Sequence, residues 1–329
     1  MEPCGRPARC GVCRSGVSRV HAPRKAIGWR VSSSEFDGLA IVVVNFGSHA
    51  LLRENLGSMS PHFAGTQFVV VDNWFSEEER RETEELCAAH GWTLIGLDTN
   101  TGFGTGCNRG AEVALSMGAQ ELMFLNPDAV IDNSSARALV EAARAQPMAL
   151  VAPRILKRNG DVWSAGMDID LVTGDARPWH RRPEFNGIAT IEWFTGACFV
   201  LSSTLWEACG GFDDDYFLYW EDVDFSARVQ AAGGSLVLIS HATAHHDVGG
   251  TQAPGSSASK SEIYYYYNIR NRSLFARKHL TAPQRKVWKA SAFRAAWAIL
   301  LRGGRRQFLR PVKPFRALYR GLRDSDYGV

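Results

Sequence analysis

Apolar residues in the first half of the chain come in short runs, each closed by a small polar residue and followed by a stretch with helical spacing. Leu39–Val44 is apolar throughout, the pattern of a strand buried on both faces of a parallel sheet, and it ends at Asn45-Phe46-Gly47. Leu52 and Leu56 then mark a helical face. Phe68–Val71 ends at Asp72-Asn73 ahead of a charged helix over about Glu77–His90. Thr93–Gly96 leads into Asn100-Thr101-Gly102-Phe103-Gly104-Thr105-Gly106, and Leu122–Leu125 ends at Asn126-Pro127-Asp128. A fifth strand, about Ala149–Ala152, closes the regular part.

Strand and helix thus alternate four times, which predicts a doubly wound α/β unit with right-handed crossovers. Ligands gather at the carboxyl ends of the strands in such sheets. Asn45, Asp72, Asn100 and Asp128 all follow strand ends, so residues remote in sequence are expected in one crevice.

From Arg158 to Ile191 the periodicity fades, and glycines with Trp163 and Trp179 point to hairpins and loops over a site. Regularity returns at Trp193–Leu201, the turn Gly210-Gly211-Phe212, a helix over about Glu221–Ala232 and a strand at Leu236–Ile239. Gly249–Ser261, rich in Gly, Ser and Ala, reads as a mobile loop. Helical patterns then cover Tyr264–His279 and about Pro283–Leu301, while Gly303-Gly304, Pro311 and Pro314 prevent one long terminal helix. Val287–Leu301, interrupted by Lys289 and Arg294, is too short and too charged for a membrane span. Residues 1–36, rich in Arg, Gly and Ser, read as a flexible leader.

Length and composition allow a large core: 329 residues, 45% of them hydrophobic. The formal charge of +3 conceals an asymmetry. Tyr264–Arg323 holds 16 Lys and Arg and no acid, leaving residues 1–263 with 21 basic against 32 acidic side chains, a net of −11. The acidic body argues against nucleic acid as a partner, and the basic, aromatic tail suits an anionic membrane surface or a homo-oligomer contact. Seven cysteines without a disulfide rhythm point to a reducing compartment. Cys4, Cys10, Cys13 and His21 lack the paired spacing of a zinc site. No apolar run follows the early arginines, so a cytoplasmic protein, peripheral at the inner face of the cell membrane, is expected.

The glycine cluster departs from the dinucleotide fingerprint, because position 107 is Cys and the cluster follows the third strand. It is either a plain strand-to-helix turn or a loop that lets backbone approach a ligand, flanked by Asn100 and Asn108. Asp72 either caps the next helix or accepts an N–H from a pyrimidine base. Asp128, after Asn126-Pro127, offers oxygen ligands to a hard divalent cation that would neutralise a diphosphate. Glu221, Asp222 and Asp224 form either a solvated helix start or a group in which one carboxylate serves as general base. His245 and His246 follow the last strand, and either imidazole could complete a metal shell.

Over about residues 39–272 these features, in order, resemble the inverting glycosyltransferases of GT-A fold, glycosyltransferase family 2, in their rhamnosyltransferase-like branch. The residues that carry the resemblance are Val44-Asn45, Asp72-Asn73, the Asn100–Gly110 loop, Asn126-Pro127-Asp128, Trp193–Gly196, Glu221-Asp222-Val223-Asp224, His246-Asp247-Val248-Gly249, and Tyr267, Arg270 and Asn271. The resemblance implies a mostly parallel central sheet with a Rossmann-like N-terminal half, plus C-terminal helices. A catalytic domain would span 37–262, with its nucleotide-sugar half at about 37–155 and its acceptor half at about 156–262. The leader, 1–36, would precede it and a basic helical extension, 263–329, would follow.

It further implies donor binding by Asn45, Asp72, Asn100, Gly102, Gly104, Asn108, Asn126 and Asp128, with Asp72 on the nucleobase. Mg2+ or Mn2+ would lie on Asp128 and His246; Asn126 stands where many relatives have a first Asp. Asp222 would be the catalytic base, and Glu221, Trp193 and Gly196 would meet the acceptor. The implied reaction moves rhamnose from a dTDP-rhamnose-type nucleoside-diphosphate sugar onto a hydroxyl of a glycan or lipid-linked saccharide, in one inverting displacement. Transfer of galactofuranose, glucose or N-acetylhexosamine from a UDP-sugar is the alternative. A noncatalytic nucleotide-sugar or glycan-binding protein would bind donor without turnover.

Overall fold

The computed structural model describes residues 17–21, 35–185, 187–246, 260–309 and 311–329. The first half runs β1 (Val17–His21), β2 (Leu39–Asn45), β3 (Gln67–Asp72), α1 (Glu77–His90), β4 (Thr93–Leu97), α2 (Phe103–Ser116) and β5 (Glu121–Leu125). A short β6 (Ala129–Ile131), α3 (Asn133–Ala145) and β7 (Ala149–Leu156) follow. Then come β8 (Val162–Ser164), β9 (Met167–Asp170), β10 (Ala176–Pro178), β11 (Thr190–Trp193), β12 (Cys198–Ser202) and α4 (Ser203–Cys209). The chain continues through α5 (Glu221–Ala231), β13 (Ser235–His246), α6 (Glu262–His279), α7 (Ala282–Ala290), α8 (Ala292–Leu301) and α9 (Val312–Arg323).

One ten-stranded sheet has the order β1-β4-β3-β2-β5-β12-β7-β13-β6, with β8 beside β7. Strands β4, β3, β2 and β5 are mutually parallel, the expected Rossmann-like half. Both faces of β2 are covered, which explains its unbroken apolar run: Leu39, Ile41 and Val43 join one core with Leu52, Leu56 and Leu139, while Ala40, Val42 and Val44 join another with Ala111 and Phe124. Helix α2 lies against β2 because two of its residues lack side chains. A Cβ on Gly110 would sit 2.3 Å from Val42, and one on Gly106 2.9 Å from Val44.

Strand β12 is antiparallel to both neighbours, β5 and β7, and so joins the two halves of the sheet. Within the regular stretch Trp193–Leu201, β11 ends at Trp193 in a separate three-stranded sheet, β10-β9-β11, and β12 begins at Cys198 in the large sheet. The helix expected around Leu52 and Leu56 is a chain of short turns over 49–62, one of them π-helical, with both leucines still buried. The late helix expected over Pro283–Leu301 breaks at Ser291 into α7 and α8. Within the segment read as a flexible leader, Val17–His21 forms β1, whose backbone pairs antiparallel with β4.

Helices α6 to α9 form one body, with Tyr265 and Ile269 packed against Ala296, Ile299, Leu300, Ala317 and Leu318. A buried arginine fastens it to the rest. Arg272, 3% exposed, donates to the carbonyls of Trp288 (3.0 Å) and Thr173 (3.0 Å), to Ser291 Oγ (3.1 Å) and to the Tyr327 hydroxyl (2.9 Å). Trp288, fully buried, donates from Nε1 to Leu171 O at 2.9 Å. Among the described residues no helix is long and apolar enough to cross a membrane. Cys87, Cys107, Cys198 and Cys209 are free thiols, and burial pushes Cys87 and Cys198 up to about 12. Cys4, Cys10 and Cys13 lie outside the described residues.

Candidate functional site

Parallel pairing sets Asn45 beside Asp72 and Asp72 beside Gly96 at one edge of the sheet. Asp72 is fully buried and pairs through Oδ2 with Arg80 Nε, while its Oδ1 has no partner. Burial drives the Asp72 carboxyl above its usual range, against the pull of Arg80. Arg80 also donates to Leu97 O at 2.6 Å and stacks over Trp74, a non-glycine residue at φ 40°. The cap of α1 is Ser76, which accepts from Glu79 N at 3.2 Å, so Asp72 is left with an orphan oxygen. A buried, unsatisfied carboxylate oxygen is costly unless a ligand donor completes it.

The neighbouring polar residues knit the strand ends together. Asn73 donates to Asn100 Oδ1 (3.1 Å) and Gly102 O (2.9 Å) and accepts from Thr101 N (2.8 Å). Asn100 Oδ1 also accepts from Gly102 N at 2.9 Å. Asn45 is engaged internally, donating to Thr83 Oγ1 and accepting from Ser48 N. Asn108 clamps the turn at Phe212, donating to its carbonyl at 2.8 Å and accepting from its N–H at 2.8 Å. The glycines meet protein: a Cβ on Gly102, at φ 89°, would lie 2.1 Å from Phe217 O, and one on Gly104 would lie 3.0 Å from Phe212 and 3.6 Å from Glu221.

The antiparallel β13–β6 pairing sets His246 opposite Ala129, next to Asp128. Alternation along β13 turns His246 inward, 7% exposed, and leaves His245 exposed on the other face. His246 Nε2 stands 3.0 Å from Asp128 Oδ1 and 3.3 Å from Asn126 Nδ2. The indole of Trp163 on β8 covers the imidazole, with ring centroids 4.9 Å apart. Asp247, Val248 and Gly249, the remainder of that motif, and the Gly249–Ser261 loop up to residue 259 lie outside the described residues.

Two ligands about 2.1 Å from one octahedral cation stand about 3.0 Å apart along an edge. The Nε2–Oδ1 separation matches that edge, and the donor set, one carboxylate and one imidazole, fits a divalent cation. Among the described residues no three His, Cys, Asp or Glu side chains gather as a complete cage, so phosphate and water would supply the other ligands.

Asp222 opens the first turn of α5. Its Oδ2 accepts from Gly196 N at 3.1 Å and its Oδ1 from Val223 N at 2.8 Å. Burial pushes its carboxyl up to about 6, with these backbone donors holding it from rising further. Glu221 is more deeply buried, with Oε2 unpartnered; burial first and then the charge of Asp222 raise its carboxyl well above the ordinary range. Asp224 has a different fate: fully buried, it accepts from Arg228 Nε (2.8 Å) and His279 Nε2 (2.7 Å). Burial opposes its charge, but those two partners hold its carboxyl below the usual range.

One short link joins Asp222 to the Asp128–His246 pair. Asn126 N donates to Ala197 O at 3.0 Å, next to the Gly196 N–H that Asp222 accepts. Trp193, half-buried at the end of β11, packs beside Val223 and Trp220 with its Nε1 unpartnered.

The approach to Asp222 is held from outside the sheet. Tyr219 and Trp220 both have positive φ, 65° and 74°, a conformation non-glycine residues rarely adopt. Asn271 of α6 donates to Leu218 O (3.0 Å) and Tyr219 O (2.7 Å), Arg270 donates to Asp215 O (2.8 Å), and Tyr267 stacks on Phe217. Sequence reasoning missed Arg80 and His279 and read Trp163 only as part of loops over a site. Arg80 is one charge among many in α1, and His279 reaches the site only through long-range folding.

No family model matches the chain. It is 24% identical over 255 residues to the low-salt glycan biosynthesis hexosyltransferase Agl10 of Haloferax volcanii, covering 74% of this chain and 77% of that one. It is 28% identical over 177 residues to the N-acetylglucosaminyl-diphospho-decaprenol L-rhamnosyltransferase of Mycobacterium tuberculosis, a match that takes in 46% of this chain and 58% of the relative. Among solved structures, the mannosyltransferase PcManGT from Pyrobaculum calidifontis in complex with GDP-Man and Mn2+ aligns with TM-score 0.52 and 15% identity over 91% of this chain and 92% of that one. GalNAc-T7 with UDP, GalNAc and Mn2+ aligns with TM-score 0.53 and 13% identity over 77% of this chain and 54% of that one.

Proposed function

We propose that the chain, which has the GT-A fold of its solved neighbours and is similar to curated glycosyltransferases, is a metal-dependent, inverting enzyme that moves rhamnose from a nucleoside diphosphate to a hydroxyl on a glycan or lipid-linked saccharide. The observation that carries the reading is the cation pair, Asp128 Oδ1 and His246 Nε2 at 3.0 Å, joined to Asp222 through Asn126, Ala197 and Gly196.

Asp128 and His246 would hold Mg2+ or Mn2+, whose positive charge would stabilise the departing diphosphate. Asp72 takes the nucleobase, using its unpartnered Oδ1 to accept an N–H, with Arg80 fixing the carboxylate. Asp222 removes the proton of the acceptor hydroxyl as its oxygen bonds to the anomeric carbon and the sugar–phosphate bond breaks. Its raised carboxyl remains mostly ionised at neutral pH while being a stronger base than a free aspartate. Glu221, on the same turn with Oε2 unpartnered, lies beside it to meet the acceptor. A single displacement leaves no glycosyl-enzyme intermediate, so the paired carboxylates of a glycoside hydrolase are not required.

Rhamnose is favoured by the higher identity to the mycobacterial rhamnosyltransferase; a hexose donor is the second reading, favoured by the longer match to the haloarchaeal hexosyltransferase. Protection of the purified protein from thermal unfolding by dTDP-rhamnose, UDP-hexoses and GDP-mannose, each with and without Mn2+, separates them. Metal-dependent protection by dTDP-rhamnose above the others is expected. Protection by a hexose donor alone would overturn the rhamnose assignment, and equal protection without metal the role of the cation pair.

A further inference from the structure

The outer surface of the C-terminal helices carries an apolar patch that folding does not explain. Helices α8 and α9 already bury Ala296, Ile299, Leu300, Ala317 and Leu318 against α6. Their opposite faces present a second set: Phe293 (64% exposed), Trp297 and Leu301 on α8, and Val312 (71% exposed), Phe315 and Tyr319 (66% exposed) on α9. The spacings, every fourth residue on α8 and steps of three and four on α9, make each set one stripe. Trp297 joins the stripes, its ring 6.4 Å from Phe293, 6.0 Å from Phe308 and 6.0 Å from Phe315. An exposed contiguous apolar patch of this kind marks an interaction surface.

Charge identifies the partner. The exposed apolar residues are followed directly by cations in Phe293-Arg294, Leu301-Arg302, Val312-Lys313, Phe315-Arg316 and Tyr319-Arg320, of which Arg316 is paired with Glu262. On a helix the next residue lies about 100° round, so each stripe has a cationic border. Arg294, Arg302, Lys313 and Arg320 are exposed, and no acid occurs between Tyr264 and Arg323. Apolar and aromatic side chains flanked by cations match the two layers of an anionic bilayer surface, acyl chains beneath and phosphates above.

We propose that the Phe293–Tyr319 face docks the protein on an anionic lipid bilayer, lying on it rather than crossing it. A chain of contacts connects the face to the site. Gln307, in the turn between α8 and α9, accepts from the Tyr265 hydroxyl at 2.6 Å; Tyr265 meets Tyr264 at 5.6 Å, and Tyr264 meets Tyr219 at 5.2 Å, two residues before Glu221. Resting here on the reading of Glu221 and Asp222 as the acceptor side, the dock brings that side of the site toward the membrane, where a hydroxyl on a lipid-linked saccharide is presented.

The test is co-sedimentation of the full chain with vesicles of phosphatidylcholine alone or mixed with phosphatidylglycerol. Binding to the mixed vesicles, weakened by salt, is expected. Arg302→Glu with Lys313→Glu should weaken it about tenfold or more, and Phe293→Ser with Phe315→Ser should remove most of the rest. Nucleotide-dependent thermal protection, unchanged in both variants, shows that the fold and donor site are intact and keeps this test separate from that of the activity. No binding of the wild type to mixed vesicles at low salt overturns the proposal. So does binding that neither double variant weakens, or a dimer that the serine variant dissociates without any change in vesicle binding.

Discussion

Asp128 and His246 follow or lie on strands whose ladders fix them, whereas Asp222 stands behind a loop with two left-handed aromatic residues held by side chains from α6. The first arrangement is rigid because the sheet that makes the core also makes the site. The second depends on contacts that the core does not require. On the proposed function, a donor with a diphosphate of fixed geometry would suit the rigid end, and acceptors of varied shape would suit the end that can be retuned by changes in a loop and one helix face.

The sharpest way to separate the two ends is Asp222→Asn. Transfer should fall by about 10²–10⁴ while nucleotide-sugar affinity in the presence of Mn2+ is unchanged; steady-state kinetics and donor titration read the two quantities separately. Transfer within about tenfold of wild type would remove Asp222 from the role of base. At the other end, His246→Ala, which removes a direct ligand, should weaken Mn2+ binding by more than the roughly 10–100-fold that losing an outer-shell partner costs, seen by calorimetry in the presence of nucleoside diphosphate, and His245→Ala should leave it unaltered.

A pH series tests the same division more gently. A base is active when ionised, and Asp222 has its carboxyl pushed up to about 6, so kcat/KM should be flat above that pH and fall about tenfold per unit below it. A decline that begins near pH 4 instead would mean that Asp222 keeps an ordinary carboxyl in solution. The smallest effect is expected from Asn271→Ala, which frees the carbonyls of Leu218 and Tyr219. A loss of about 1–3 kcal/mol in stability, with a raised KM for acceptor and an unchanged donor affinity, would show that α6 positions the loop. A raised KM for donor would contradict it.

The rigid end was largely legible in the sequence, because a strand end is a local event. An apolar run closed by Asp72-Asn73 or Asn126-Pro127-Asp128 announces both the strand and the residues just beyond it. The glycine loop was legible as a turn, but its tight packing against Phe217 O and Val42 depends on partners that no local pattern names. The choice between His245 and His246 became a matter of which face of β13 turns inward, which follows from pairing with β6 and β7. The acceptor end was legible only as a cluster of acids. That Asp224 belongs to Arg228 and His279, and Asp222 to Gly196, requires the tertiary fold. The break at Ser291 and the separation of β11 from β12 were hidden because apolar spacing continues across both.

The distances in sequence that these contacts span also order events in time. The Asp72–Arg80 pair closes over 8 residues, the His279–Asp224 contact over 55, and the Asn126–His246 contact over 120. Loops of such different length form at different rates, local ones before distant ones. During synthesis the Asp72–Arg80 contact can therefore close while the ribosome is still reading the codons for β13, and the Asp128–His246 contact waits for that strand. Strand β12 is made between those two events, and its place between β5 and β7 connects the halves of the sheet that carry them.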